Sequence, residues 1–113
     1  MKLITAIIQP HQLPAVKKSL YDAQVYKITV SNALGYGEEE GYQQTFRGVE
    51  REVNLLKKVR LEIAVNDDFV EATVAAIRDG ARTNNVGDGK IFITDLQECI
   101  RIRTGERGDL AIG

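Results

Sequence analysis

Lys58-Val59-Arg60-Leu61-Glu62-Ile63-Ala64-Val65-Asn66-Asp67 decides the fold. Val59, Leu61, Ile63 and Val65 fall at every second position with Lys58, Arg60 and Glu62 between them, the period of a strand with one apolar and one polar face. Asp67 then reads as a helix cap, and Phe69, Val70, Val74 and Ile77 recur at the spacing of a helix that turns them inward. The N-terminal part of the chain repeats this strand-helix unit. Leu3 to Ile8 is a nearly continuous β-favouring run closed by Pro10, which predicts a central strand buried on both faces. Leu13, Val16, Leu20 and Ala23 follow with a helical period, and Val25 to Ala33 alternates again, with Tyr26, Ile28 and Val30 on one face. Ile91-Phe92-Ile93 supplies a fourth strand and Ile100 to Arg103 a short fifth. Strand-helix-strand twice over predicts an α+β, ferredoxin-like βαββαβ fold with both helices on one sheet face.

The 113 residues and their 43% hydrophobic content suffice for one compact core, which predicts a single domain over 1–113. A formal net charge of -1 gives no global attraction to nucleic acid or to an anionic membrane, so any anion site must come from local clustering. One cysteine, Cys99, cannot form an internal disulfide, which fits a reducing compartment and predicts a cytoplasmic location. The first ten residues are too short an apolar run for a signal or membrane span. Between Gly35 and about Leu56 the periodicity disappears, and Gly35-Tyr36-Gly37-Glu38-Glu39-Glu40-Gly41 is too glycine-rich and acidic to continue a strand. A loop of this length, about 36–55, is uncommon in so small a domain unless it is functional or disordered.

If Ile28, Val30, Leu61, Ile63, Ile100 and Ile102 face the helices, Thr29, Lys58, Arg60, Arg101 and Arg103 point off the other face. Four cations so placed call for an anion or for a neighbouring subunit's acids; a solvated face paired with Glu62, Glu98 or Glu106 fits the same pattern. The turn cluster 82–90 contains Thr83-Asn84-Asn85-Val86-Gly87-Asp88-Gly89-Lys90. Glycines flanking Asp88 let successive backbone N–H groups line a concavity suited to phosphate, with Lys90 supplying charge. Taken alone, Gly-x-Gly-Lys also fits an ordinary hairpin, and its spacing is not that of a Walker A loop. Enzymatic constellations are poor: His11 reads as a solvated first-turn residue and Cys99 as a small packed apolar group, so no catalytic residue is assigned. An RNA-binding sheet needs stacking aromatics on its strands, and Phe92 is the only candidate.

The stretch Thr83 to Ile93, together with Ile100-Arg101-Ile102-Arg103-Thr104-Gly105-Glu106, Ala6-Ile7-Ile8-x-Pro10, Gly35-x-Gly37 and Arg47-Gly48-x-Glu50, resembles the PII signal-transduction family over essentially the whole chain. The resemblance implies a homotrimeric, non-enzymatic regulator that binds ATP or ADP in clefts between subunits, with Mg2+ and 2-oxoglutarate joining ATP there. It implies that Gly87, Asp88, Gly89 and Lys90 of one subunit bind phosphate with Arg101 and Arg103 from the 99–113 segment of a neighbour. Thr29, Gly35, Gly37 and Glu38 match nucleotide-lining positions, Ile7 and Ala64 bracket the base, and Lys58, Gly87 and Glu39 match 2-oxoglutarate positions. Glu39 is also the implied metal ligand, in partnership with ATP phosphates. The loop, with Arg47, Gly48 and Arg51, would dock on a membrane transporter or a metabolic enzyme of nitrogen metabolism, recruiting the protein to the inner membrane face in the first case.

Two departures bear on function. The family's modifiable tyrosine at position 51 and serine at 49 are here Arg51 and Val49, so neither modification can occur at those positions. The family's basic residue at 38 and glutamine at 39 are Glu38 and Glu39; a carboxylate at 39 can hold Mg2+ but repels a dicarboxylate. A regulator of carbon or small-anion transport that senses nucleotides without 2-oxoglutarate therefore stands as an alternative, as does a weak ATPase.

Overall fold

The computed structural model describes residues 1–36, 45–46, 49–50 and 55–113. Its elements run β1 (Lys2–Ile8), α1 (Leu13–Asp22), β2 (Thr29–Gly35), β3 (Thr45–Phe46), β4 (Val49–Glu50), β5 (Leu56–Val65), α2 (Val70–Ala81), β6 (Lys90–Asp95) and the short α3 (Asp109–Ile112). One sheet has the order β2-β5-β1-β6, and every neighbouring pair is antiparallel. β1 and β2 are therefore parallel to each other across α1, and β5 and β6 across α2, which is the expected ferredoxin-like pairing of two βαβ crossovers. The two-residue pair β3–β4 lies inside the segment expected to lack secondary structure.

Alternation in the sequence becomes a two-sided sheet. Ile4, Ala6 and Ile8 of β1 and Val59, Leu61, Ile63 and Val65 of β5 form the core with Val16 and Leu20 of α1 and Ala76, Ile77 and Ala81 of α2. Each fully buried Leu or Ile contributes about 1.5–3 kcal/mol relative to exposure. The helices touch closely at Gly80, where a Cβ would stand 2.6 Å from Val16 Cα, so a larger residue there would push α1 and α2 apart. The core-facing Thr73 keeps its hydroxyl satisfied by donating to the Phe69 carbonyl at 2.7 Å.

Several expectations need correction. β1 is central, but only one of its faces is fully buried; Leu3, Thr5 and Ile7 remain half-buried because both helices lie on the opposite face. β2 starts at Thr29, and Val25 lies just beyond α1, in the motif that ends the helix. There Val25 N–H donates to the Leu20 carbonyl and Gln24 N–H to the Tyr21 carbonyl, both at 2.9 Å, closing a Schellman motif around Gln24 at φ 64°. Asp67 does not cap α2: its carboxylate takes the Met1 ammonium at 2.8 Å, a bond that holds its carboxyl below the ordinary value. Phe69 is exposed. The expected fifth strand at 100–103 is a turn with a single bridge between Ile100 and Arg107, and Ile100 and Ile102 face solvent instead of the helices.

Gln24 holds a left-handed backbone that favours glycine, and such a conformation costs a residue with a Cβ about 1–2 kcal/mol. Gln24→Gly should raise unfolding stability by roughly 0.5–1 kcal/mol after the loss of unfolded-chain entropy, read as a higher urea midpoint at unchanged slope. A lower midpoint would show that the Gln24 side chain stabilises the motif by some other contact.

Candidate functional site

The chain leaves α2 at Ala81 and enters β6 at Lys90 through a turn closed by one carboxylate. Asp88 accepts the Thr83 N–H at 2.7 Å, the Asn84 N–H at 2.9 Å and the Thr83 hydroxyl. These bonds, the Thr83 hydroxyl first, hold the Asp88 carboxyl below its ordinary range. The carboxylate therefore shapes the loop, and what remains of Asp88 to meet an anion is its backbone amide. Among the described residues the N–H of Gly87 donates to nothing, and that of Asp88 makes only the loose turn contact with the Asn85 carbonyl. Gly89, at φ 112°, lies so close to β1 that a Cβ would collide with the Ile7 carbonyl at 1.9 Å, so only glycine fits. Lys90 is exposed, directly opposite Ile7 in the β1–β6 ladder.

Two glutamines that sequence reasoning missed bind this turn to β1. Gln9 Nε2 donates to the Gly87 carbonyl at 2.8 Å, and Gln9 N–H donates to Gln12 Oε1 at 2.9 Å. Gln12 is buried, and its Nε2 donates to the Ala81 carbonyl. Both ends of the connection between α2 and β6 are thus pinned to the residues that follow β1. Gln9-x-x-Gln12 has the three-residue spacing of a capping box, the one signal available in the sequence.

The uncovered sheet face sorts the other expected residues by register. Ile7, Arg60 and Ser31 form one row with Lys90; Thr5, Glu62 and Thr29 form the next with Phe92; Leu3 and Ala64 form the third with Thr94. Beyond the first row lie Lys58, opposite Ala33, and Gly35, whose missing Cβ leaves room for the buried Lys58 stem. The far end of the face opens into a cavity of about 410 Å3 lined by Leu3, Thr29, Glu62, Ala64, Cys99 and Ala111. Glu62 was not foreseen as part of this lining; it pairs with Arg60 at 3.4 Å.

The C-terminal segment belongs to that far end. Asn66 Nδ2 donates to the Asp109 carbonyl at 3.3 Å, and Cys99 and Ala111 share the cavity with Leu3 and Ala64. Arg101 is folded into its own segment, donating to Glu106 at 2.8 Å and to the Leu110 carbonyl at 3.0 Å. Arg103 is exposed and forms no ion pair among the described residues. Lys90 opens β6 and the C-terminal segment departs after Asp95, so five steps of about 3.3 Å, roughly 17 Å, separate Lys90 from the point where that segment leaves the strand. Ile7 and Ala64 are likewise four residues apart along β5, about 13 Å. One protomer therefore brings Ile7, Gly35, Lys58, Gly87, Gly89 and Lys90 to one end and Thr29, Ala64, Arg101 and Arg103 toward the other. Gly37, Glu38, Glu39, Arg47, Gly48 and Arg51 lie outside the described residues.

Residues 1–106, which include the whole sheet and both halves of this arrangement, match the family described as Nitrogen regulatory protein P-II. The chain belongs to the P-II family. It is 47% identical to nitrogen regulatory protein GlnK1 of Methanosarcina mazei over 114 aligned positions, covering 99% of this chain and 97% of that protein. It is 46% identical to nitrogen regulatory protein P-II of Mesorhizobium japonicum over 108 positions, 96% of each chain. It is 45% identical to its Azospirillum brasilense counterpart over 112 positions, 99% of this chain and all of that one. P-II proteins are regulatory signal-transduction proteins, and among the described residues of this one no helix is long and apolar enough to cross a membrane.

The Asp88 loop gives a pH test in this P-II chain. A depressed folded-state value means that the stabilisation is present above the unfolded value, near 3.8, and is lost as pH falls through the lower folded one. The Thr83 and Asn84 amide resonances should hold steady from pH 7 to about 4 and move only below it. A transition centred above pH 4 would show that Asp88 does not close the loop.

Proposed function

We propose that this P-II chain senses ATP or ADP in clefts between copies of itself and signals through the 36–55 segment without catalysing a reaction. The separation of the phosphate-suited turn from Arg101 and Arg103 carries this reading. Lys90 and the departure of the C-terminal segment stand about 17 Å apart at the two ends of β6, and Arg101 is tied to Glu106 and Leu110 in that segment, an arrangement that favours phosphate contacts from two different protomers. Head-to-tail contacts that close into a ring bring one chain's Lys90 end against the next chain's arginine end, and three-fold closure is the homotrimer that the resemblance implies. The same geometry applies to the base: Ile7 and Ala64 can bracket it only from two different chains. The donor set suits polyphosphate, with the free Gly87 amide, the loosely held Asp88 amide, an exposed lysine and an exposed arginine.

Mg2+ would enter with ATP, held by phosphate oxygens and Glu39, and would neutralise phosphate charge. Lys58 is the cation suited to a 2-oxoglutarate carboxylate, with Gly87 nearby, whereas Glu39 opposes a dicarboxylate; nucleotide is therefore the principal signal in this reading. Arg47, Gly48 and Arg51 would meet the target, a transporter or enzyme of nitrogen metabolism, in the cytoplasm or at the inner membrane face.

Lys90→Ala and Arg103→Ala should each weaken ATP binding by about 1–3 kcal/mol, the scale of a lost charge-assisted contact. Mixed assemblies of the two variants decide the architecture. With random mixing, half of one side times half of the other makes about a quarter of the clefts fully intact, so calorimetry should recover that fraction of tight sites. No recovery would place both residues in a site within one chain. Unchanged affinity in both single variants would remove them from the site altogether.

A further inference from the structure

The amide of Asp88 and the carbonyl of Gly87 belong to one planar trans peptide, so they point in opposite directions. Gln9 Nε2 holds that carbonyl toward β1 at 2.8 Å, and the Asp88 N–H consequently faces away from β1, with only the loose turn contact to the Asn85 carbonyl among the described residues. Gly87 stands at φ 98°, in a region where only glycine moves freely, and a rotated Gly87–Asp88 peptide would offer an incoming anion a carbonyl oxygen in place of a donor. Gln9 is itself held: its N–H donates to Gln12 Oε1 at 2.9 Å, and the buried Gln12 donates through Nε2 to the Ala81 carbonyl.

We infer that Gln9 is a positioning residue for phosphate recognition, locking the Gly87–Asp88 peptide in the orientation that presents a donor. The inference rests on the nucleotide reading of the turn and adds a residue on β1's exit that touches no ligand. Its chemistry requires a neutral donor of glutamine length. Methionine matches the size without the donor and without adding charge, so electrostatic attraction to phosphate is unaltered.

The experiment is an NMR titration of wild-type protein and Gln9→Met with inorganic tripolyphosphate and, separately, adenosine. The ligand-free variant should show displaced Gly87 carbonyl and Asp88 amide resonances, while the rest of the spectrum keeps its wild-type dispersion. Tripolyphosphate affinity should fall about tenfold, the scale of one well-placed hydrogen bond, with adenosine affinity within about twofold of wild type. A purely structural role would lower both affinities together, or lower the melting temperature with no change in their ratio, and either result overturns the inference. So does a variant that binds tripolyphosphate as wild type does. If wild-type protein shows no shift at Gly87 to Lys90 with tripolyphosphate or with ATP, the nucleotide reading itself falls. Loss in Gln9→Met alone cannot produce that outcome.

Discussion

Both crossover helices lie on the same side of the sheet, and the rest of the molecule follows from that constraint. The connections from β1 to β2 and from β5 to β6 place α1 and α2 side by side, in contact at Gly80 and Val16. The core is then complete with half of the sheet's residues. Leu3, Thr5, Ile7, Ser31, Arg60, Glu62 and Lys90 are left on the face opposite the helices, which among the described residues only the C-terminal segment meets, at its far end. Ile7 and Leu3 are apolar enough to want burial there, and Arg60 paired with Glu62 shows the same face serving solvent and charge at once.

The alternation from Lys58 to Val65 was enough to read the sheet, because a one-residue slip would have put Leu61 and Ile63 in water. The turn at 83–90 was readable for a similar reason: asparagine, glycine and aspartate each do something there that other residues cannot. The family assignment rested on the same residues. What escaped depended on partners far away in sequence. Gln9 and Gln12 reach carbonyls 78 and 69 residues distant, and Asp67 reaches the N-terminus, so no local pattern announces those bonds. Gln24 ends α1 in a conformation usually signalled by glycine, which is why Val25 was assigned to the strand that follows. Ile100 and Ile102 alternate like a strand, but Arg101 is drawn to Glu106 and Leu110, and the segment turns back on itself.

Asp88 places a charge inside a turn whose glycines suit backbone N–H groups to an anion, and an ionised carboxylate facing a phosphate would repel it. Three bonds from Thr83 and Asn84 turn that charge inward, where it organises the loop while leaving the backbone amide outward. Lys90, with no ion-pair partner among the described residues, then carries the positive potential together with the amides.

A ligand site divided between chains also changes what binding means for the molecule. In the proposed arrangement nucleotide binds the assembled form and not the separated protomer, so its binding free energy adds to the stability of the assembly by mass action. Each bound nucleotide bridges the turn end of one sheet to the arginine end of the next. The rows of the uncovered face connect those ends through Arg60, Glu62 and Thr29, packed side by side on β5 and β2. Occupancy of one cleft therefore bears on the geometry of the subunit that also contributes to the adjacent cleft. That is the physical link a sensor needs between a small ligand and the surface it shows its target, and the coupling must be reciprocal: a target that prefers one nucleotide state tightens binding of that nucleotide by the same factor.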